Sequence, residues 1–230
     1  NPKYIGDPIN AIRIFNEKEV DELIVLDIYA SRNNREPDFD LIRQFASECF
    51  MPLCYGGGIS SLDQAKKLFA LGIEKICIQS AAFNDISLIT QIANIYGNQA
   101  VVVAVDIKRN IFGQIRLYDS SRGKIINSIT YETFIKNVIE AGAGEILLNS
   151  VDRDGMMEGV DYDMVTDIKK RIGVPLIVMG GIGNLEHIRK AVEAGANAVA
   201  AGSFFVYHGP HRAVLITYPT YEELSHLFLK

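Results

Sequence analysis

The two halves of this chain contain an internal repeat. Residues 51–59 and residues 174–182 align without a gap, each with proline at the second position and Gly-Gly-Ile at the end. Pro52 and Pro175 set the offset at 123 residues. Other identical pairs at this offset are Glu22 with Glu145, Lys67 with Lys190, Gly72 with Gly195, and Ser80 with Ser203. A duplicated unit of this length predicts two similar halves and a whole of about 250 residues, the size of an eightfold (β/α) barrel.

Seven short apolar runs alternate with amphipathic stretches along the chain. The runs span residues 24–29, 51–55, 75–79, 100–106, 145–149, 175–179 and 198–201. Runs of this kind, without polar alternation, are typical of parallel strands covered on both faces. Helical periodicity is found in residues 39–48, 62–71, 87–96, 131–141, 162–171 and 185–194. A doubly wound sheet also alternates strand and helix but does not predict two similar halves, so we expect an α/β fold of the (β/α)8 TIM barrel type, built from two repeated half-barrels.

The repeat also predicts that the first barrel strand is missing from this chain. The run at residues 100–106 has no counterpart 123 residues earlier, because those positions would precede Asn1. We therefore expect roughly two dozen residues of the natural barrel to precede this sequence. No linker or change of composition divides the chain, so residues 1–230 are expected to form a single barrel domain that lacks its first strand.

Charge and composition exclude several classes of protein. The net charge of −5 argues against a nucleic-acid partner. No apolar run is long enough to cross a membrane, and the first residues do not form an apolar secretion signal. The three cysteines, Cys49, Cys54 and Cys77, form no Cys-x-x-Cys motif and are expected to be buried, reduced thiols. These features together predict a cytoplasmic protein without membrane or nucleic-acid partners.

Two glycine sites at the repeat offset predict binding of a phosphorylated small molecule. Active sites of such barrels lie at the mouth, the face formed by the C-terminal ends of the strands. Backbone N–H groups at glycine-rich turns bind phosphate, and we expect two cradles of this kind at the mouth. The residues of the first cradle are Gly58, Gln79 and Ser80, and those of the second are Gly181, Gly202 and Ser203, with Gly155 as a further phosphate-binding candidate. The alternative is that these glycines only permit tight turns.

Asp106 is the strongest catalytic candidate, because a carboxylate at the barrel mouth can act as a general acid or base. The alternative is a structural ion pair with Lys108 or Arg109. The other residues expected at the mouth are Asp27, Asn149 and Asp154. Asp152-Arg153-Asp154-Gly155 is similar to the start of a calcium loop but lacks the later ligands, and the four histidines show no metal-binding spacing. The sequence therefore predicts no metal site and no cofactor.

The chain resembles the cyclase subunit of imidazole glycerol phosphate synthase over nearly its full length. The segments that carry the resemblance are Gly6-Asp7-Pro8, residues 21–28, residues 55–59, residues 98–106, residues 142–148 and residues 152–155. The resemblance implies a heterodimer in which a glutaminase subunit supplies ammonia to the barrel. It also implies that the ammonia reacts at the mouth with a ribonucleotide carrying two phosphates. The products would be imidazole glycerol phosphate and an aminoimidazole carboxamide ribonucleotide, in histidine biosynthesis.

The resemblance also assigns roles to individual residues. Asp106 matches one of two catalytic aspartates, and the other would precede Asn1. A charged gate at the ammonia entrance is matched by Glu22, Lys75 and Glu145. Gln99 matches a residue that faces the glutaminase.

Several residues depart from the family pattern. Gln79-Ser80 replaces an Asn-Thr pair, Asn149 replaces a threonine, and Met179 replaces a serine. The segment after Asp106 lacks a Thr-Gly pair, and residues 204–221 are atypical. These changes resemble a paralogous branch that acts in glutamine-dependent conversion of a sugar acetamido group to an acetamidino group, in polysaccharide biosynthesis. A non-catalytic ammonia conduit that binds a glutaminase is a third interpretation.

Overall fold

Eleven strands and ten helices are present in the computed structural model, which describes residues 4–229. The strands are β1 (Leu23–Leu26), β2 (Leu53–Gly56), β3 (Lys75–Ile78), β4 (Val101–Arg109), β5 (Ile115–Asp119), β6 (Lys124–Ile126), β7 (Glu145–Ser150), β8 (Leu176–Met179), β9 (Ala198–Val199), β10 (Tyr207–His208) and β11 (Ala213–Val214). The helices are α1 (Pro8–Glu17), α2 (Phe39–Glu48), α3 (Leu62–Ala70), α4 (Ser80–Asn84), α5 (Ser87–Tyr96), α6 (Tyr131–Glu140), α7 (Tyr162–Lys169), α8 (Leu185–Glu193), α9 (Ser203–Val206) and α10 (Tyr221–Phe228).

The main sheet has seven parallel strands in the order β1-β2-β3-β4-β7-β8-β9, which is the sheet of a (β/α) barrel. The seven predicted strands are all confirmed. Because the strands are parallel, their C-terminal ends meet at one face, and this face is the mouth. In register, Asp106 lies opposite Asn149 on β7, and Asn149 lies opposite Met179 on β8. Within residues 4–229 the strands β1 and β9 are the two ends of the sheet. The missing first strand stays a prediction.

The repeat is visible in how the helices begin. Asp38 accepts a hydrogen bond from Leu41 N at 3.0 Å before α2, and Asp161, at the repeat offset, accepts one from Met164 N at 3.3 Å before α7. Ser61 and Asn184 cap α3 and α8 in the same way. Side chains of these types at the N-cap satisfy backbone N–H groups that have no partner within the helix. The two halves therefore start corresponding helices at corresponding positions.

The sheet separates two apolar clusters. The larger cluster fills the space between the strands and the outer helices. The smaller cluster lines the opposite, inner face of the sheet and consists of Cys54, Cys77, Val102, Leu147 and Ile177. Burial raises the pKa of both inner thiols, that of Cys77 to about 12, so both remain protonated. Cys49 is only half-buried at the end of α2, which corrects the expectation that all three thiols are buried.

Several elements were not expected from the apolar pattern. They are α1, the hairpin strands β5 and β6, the short helices α4 and α9, the hairpin β10–β11, and α10. β4 also continues past its predicted end at Asp106 to Arg109, because it pairs with β5 as well as with β7. The hairpin that follows β4 folds back over the mouth. No helix among residues 4–229 combines the length and apolar character needed to cross a bilayer.

Candidate active site

Strand alternation decides which side chains point into the mouth. Successive side chains of a strand point to opposite faces of the sheet. Asn149 follows the inner residue Leu147 by two positions, and Gln79 follows the inner residue Cys77 by two positions. Asp106 likewise follows Ala104, which packs against the same cluster. These three polar side chains therefore form the layer directly above the inner apolar cluster.

Asp106 is buried, with 7% of its surface exposed, and both of its carboxylate oxygens accept hydrogen bonds. The Ser120 hydroxyl donates to Oδ2, and the Asn149 Nδ2 group donates to Oδ1 at 3.0 Å. Two donors on two oxygens suit a carboxylate, which accepts hydrogen bonds but does not donate them. The side chain is therefore fixed in one orientation at the inner wall of the mouth.

The alternative of a structural ion pair for Asp106 is wrong. Lys108 Nζ lies 3.8 Å from the carboxylate of Asp152, and Arg109 forms its ion pair with Asp161. Both basic residues belong to the part of β4 that extends beyond the mouth. Their charges are thus used to anchor that extension, and Asp106 has no ion pair within the described residues.

Ser120 reaches Asp106 because a tight turn joins β5 to β6. Asp119 is fully buried and accepts hydrogen bonds from Ser121 N at 2.9 Å and from Ser121 Oγ at 2.6 Å. Arg32, in the loop after β1, donates to the Ser120 carbonyl at 3.3 Å. Asp and Ser residues favour turns of this kind because their side chains bond to nearby backbone groups. The turn therefore holds Ser120 over the mouth.

A second carboxyl group, Asp154, lies near Asp106 in the loop after β7. Partial burial, followed by the charge of Asp106, raises the pKa of Asp154, although the residue retains solvent exposure. Two carboxyl groups whose surroundings differ can divide the roles of acid and base between them. Asp154 is held in this loop by a hydrogen bond from its backbone N–H to the Ser150 carbonyl at 3.0 Å, so both acidic residues lie at the mouth end of their strands.

Asp27 is also at the mouth, but its carboxylate is engaged locally. Its Oδ1 atom accepts hydrogen bonds from Tyr29 N and Ala30 N, both at 3.0 Å, and Arg35 lies 3.4 Å from Oδ2. These bonds form the turn that follows β1. The carboxylate of Asp27 thus stabilises the loop.

The first expected cradle lies where β2 and β3 end. Gly58 adopts a φ of 74°, and a Cβ there would come within 2.6 Å of the Arg35 carbonyl, so the turn requires glycine. The Gly58 amide donates to Ser31 Oγ at 3.1 Å. Gln79 Nε2 is buried and has no hydrogen-bond partner among the described residues, and Ser80 begins α4. A buried donor without a partner costs free energy, so the position of the Gln79 side chain calls for an explanation.

The second expected cradle lies where β8 and β9 end. A Cβ at Gly181 would come within 2.4 Å of the Gly159 carbonyl, so this turn also requires glycine. Ser203 begins α9, and a Cβ at Gly155 would lie 3.8 Å from its Oγ. Arg212, on the hairpin β10–β11, donates to the Gly155 carbonyl. Gly202 faces open space: apart from its two chain neighbours, the described residues place no atom within 4 Å of the position that a Cβ would take.

A charged triad lies at the opposite end of the strands from the mouth. Lys75 Nζ is 2.9 Å from Glu22 Oε2 and 2.9 Å from Glu145 Oε1. Burial lowers the pKa of Lys75, but the hydrogen bonds to the two carboxylates outweigh it, and the net shift of this pKa is upward. Gln99 lies near this end as well, in the exposed turn before β4, and donates to the Tyr96 carbonyl at 3.1 Å.

Comparison with known proteins decides the family. A family model described as a histidine biosynthesis protein matches residues 1–211. The chain belongs to the histidine biosynthesis protein family.

Similar members of this family are named as subunits of one enzyme. A protein of Pseudomonas aeruginosa is 50% identical over 97% of this chain and 89% of its own length, and has the provisional name imidazole glycerol phosphate synthase subunit hisF2. One from Leptospira interrogans, provisionally named subunit HisF, is 48% identical over 99% of this chain and 90% of its own length. The imidazole glycerol phosphate synthase subunit HisF of Thermobifida fusca is 38% identical over 89% of this chain and 82% of its own length.

Two residues of the candidate site, Ser120 and Arg212, were not predicted from the sequence. Both lie on hairpins that fold back toward the mouth, far in sequence from the groups they contact. The segment Asp119-Ser120-Ser121-Arg122-Gly123 has the residues of a turn, and the alternation of Ile115 and Leu117 before it indicates a strand. That signal predicts a hairpin, but only the fold shows that its turn reaches Asp106.

Proposed function

We propose that this chain is the ammonia-using subunit of a glutamine-dependent enzyme pair, with the cyclase activity of imidazole glycerol phosphate synthase. The observation that carries the proposal is the position of Asp106. It is buried and held by two donors, at a mouth flanked by two repeat-related candidate cradles. The names of the similar proteins support the same reaction.

The spacing of the two cradles supports a substrate with a phosphate at each end. One cradle lies at β2 and β3 and the other at β8 and β9, four strand positions further along the sheet. Four positions are half the circumference of an eightfold barrel. The unpaired Gln79 Nε2 group supplies a donor for an anion at the first cradle, and the open space at Gly202 admits one at the second.

The inner face of the sheet supports a path for ammonia. The inner apolar cluster lies between the charged triad and the mouth. In register, Cys54 lies opposite Lys75 and Val102 lies opposite Glu145, while Asp106 lies further along β4 at the mouth end. The cluster thus connects the two polar ends. In this proposal the triad formed by Glu22, Lys75 and Glu145 is the ammonia gate, and a glutaminase binds the surrounding face, including Gln99, to form a heterodimer.

Asp106 is proposed as the general acid or base of the reaction, with Asp154 as a second carboxyl group at the mouth. The test is turnover of the two-phosphate ribonucleotide by the full-length protein, with an ammonium salt as nitrogen source so that no glutaminase is needed. We expect Asp106→Asn to reduce kcat by roughly 10²-fold or more, the usual scale for loss of a general acid or base. Binding of the substrate should change little, because the phosphates anchor it. Near-normal turnover by D106N would remove Asp106 from catalysis and favour the non-catalytic ammonia conduit.

A second candidate function is glutamine-dependent amidination of a sugar acetamido group. Two residues that depart from the family pattern favour it, since Gln79 and Asn149 lie in the layer of side chains that any acceptor would meet. The same assay with an acetamido sugar nucleotide in place of the ribonucleotide distinguishes the two. Turnover of the sugar alone would replace the first proposal with this one.

A further inference from the structure

Each glycine turn at the mouth is anchored by a side chain of the helix that follows it. Before α3, Gln64 Oε1 accepts a hydrogen bond from Ser60 N at 2.8 Å. Before α8, His187 Nδ1 accepts one from Gly183 N at 3.2 Å. Both the donors and the acceptors are separated by the repeat offset of 123 residues. Two chemically different side chains thus supply the same bond, so the two halves share the anchor and not the residue that makes it.

The anchor lies one residue beyond the bond that usually closes the start of a helix. In a capping box, the side chain at the third helical position accepts from the backbone N–H of the N-cap residue itself. Helix α10 has this ordinary form, in which Glu223 accepts from Thr220 N at 2.8 Å. The N-caps of α3 and α8 are Ser61 and Asn184, and in both helices the side chain reaches the residue before the N-cap. The bond therefore extends past the helix into the glycine turn.

A turn built from two glycines has a particular need for such an anchor. Gly57 and Gly58 have positive φ angles, and so do Gly180 and Gly181 in the second half. Glycine loses more conformational freedom than any other residue when its backbone is fixed. In each half the anchored N–H group lies two residues after the second glycine. The anchor therefore holds the end of the segment that is proposed to bind a phosphate, and a site that is held in advance binds more tightly.

The accepting atom of each anchor is engaged within the chain. Gln64 is buried, with 6% of its surface exposed, and its Oε1 atom also accepts from the Ser60 hydroxyl at 3.2 Å. His187 is half-buried, and its Nε2 atom lies 3.2 Å from the side-chain amide of Asn184. Any effect of these two side chains on a ligand must therefore pass through the turn that they hold.

We infer that Gln64 and His187 are positioning residues for the two phosphate cradles, and that each holds its glycine turn in the conformation that binds an anion. A substrate with a phosphate at each end would thus meet two turns fixed by the same bond. The inference rests on the proposed function for its two cradles, but it does not depend on which phosphorylated acceptor reacts at the mouth.

The first arm of the test measures binding of inorganic phosphate through the backbone amide resonances of Gly58 and Gly181. The titration is done at about pH 8, where a histidine ring is neutral and can accept a hydrogen bond. Gln64→Ala should weaken phosphate binding at the first cradle about 10-fold, the scale of one hydrogen bond, and leave the second cradle unchanged. His187→Ala should do the reverse, so each cradle is the control for the other.

Two further variants separate the anchor from the stability of the helix. His187→Gln introduces the residue that the repeat places at this position, and it should restore most of the affinity of the second cradle. Ser61→Ala removes the N-cap of α3 but leaves the anchor in place, so it should lower the stability of the protein without weakening phosphate binding. Should Gln64→Ala fail to fold, the two His187 variants carry the test, because that side chain is only half-buried.

Recovery in H187Q, with the loss confined to one cradle in each alanine variant, would support the inference. It would do so even if no acceptor is turned over with ammonium, a result that would refute the proposed function. Equal weakening by S61A and Q64A would overturn the inference, because helix stability alone would explain it. Unchanged binding in either alanine variant, no recovery in H187Q, or no phosphate at either turn of the wild-type protein would overturn it as well, whatever the turnover.

Discussion

Lys75 shows how one residue depends on its neighbours for a stable place in the fold. Its ammonium group is shared by two carboxylates, Glu22 and Glu145, and all three side chains are largely withdrawn from water. Removing one member of such a cluster leaves charges without a partner, which costs more than the cluster itself contributes. Because the pKa of Lys75 is raised in the folded protein, the stabilisation from its charge is fully present below the ordinary lysine value of about 10.4. This stabilisation is lost only as the pH rises through the raised pKa of Lys75.

At this scale we predict that Lys75→Met lowers the free energy of unfolding by roughly 2–4 kcal/mol at neutral pH, slightly below the range for fully buried pairs because some exposure remains. The deficit should shrink at alkaline pH, because the wild-type protein loses the charge of Lys75 as the pH rises through the raised pKa. Urea denaturation of wild type and variant at several pH values measures both effects. The triple variant K75M/E22Q/E145Q, which has no charge in the triad, is the control and should lose less free energy of unfolding than K75M. A deficit in K75M that is independent of pH would contradict this account.

At the scale of elements, an aspartate caps the corresponding helix in each half, and in the second half this aspartate also forms an ion pair. Asp38 and Asp161 occupy equivalent N-caps, before α2 and α7. Asp161 in addition pairs with Arg109, in the extension of β4 that leads to the hairpin carrying Ser120. In the second half, the start of a helix is thus connected to the strand that holds the candidate catalytic residue.

We expect Asp38→Ala to cost about 1 kcal/mol of unfolding free energy, the usual value for loss of an N-cap. Asp161→Ala should cost up to about 1 kcal/mol more, because it also releases the partly exposed Arg109. Urea denaturation of the two variants under the same conditions makes the comparison. Equal losses would show that the ion pair with Arg109 contributes nothing to stability.

At the scale of the whole molecule, the repeat places two similar turns four strand positions apart on one face and the charged triad on the other. A substrate anchored at both turns would span the mouth and pass over Asp106. Glycine is required by close backbone contacts at Gly58 and Gly181, so tight turns alone explain these two positions. Gly202 is different, because open space surrounds it and its backbone conformation is available to other residues.

Gly202→Ala therefore tests the second cradle without disturbing the chain. We predict that inorganic phosphate shifts backbone amide resonances at both cradles of the wild-type protein. In G202A the affinity at the second cradle should fall about 10-fold, since the methyl group takes space and removes close approach to the backbone. The affinity for phosphate at the first cradle should be unchanged. The free energy of unfolding should be unchanged or slightly higher. Phosphate bound only elsewhere, or equally well by G202A, would contradict the two-cradle arrangement.

The fold was predictable from sequence because its signals are local or periodic. Parallel strands covered on both faces need continuous apolar runs, and the offset of 123 residues identifies the two halves. Asp106 and the glycine turns followed from where strands end, and the members of the charged triad followed from the resemblance to a known family. The hairpin β5–β6 and the short helices α4 and α9 were missed, because their few apolar residues show no clear period.

The barrel class, the repeat and the residues at the ends of the strands could be read from the sequence. The contacts of those residues depend on the three-dimensional fold. It engaged Asp27 in its own turn, gave Lys108 and Arg109 other partners, and brought Ser120 to Asp106. Among residues 4–229, it also left one oxygen of Asn149 without a donor. The reason is physical: strand order and side-chain alternation follow from local patterns, whereas a hydrogen-bond partner depends on how distant loops fold back over the mouth.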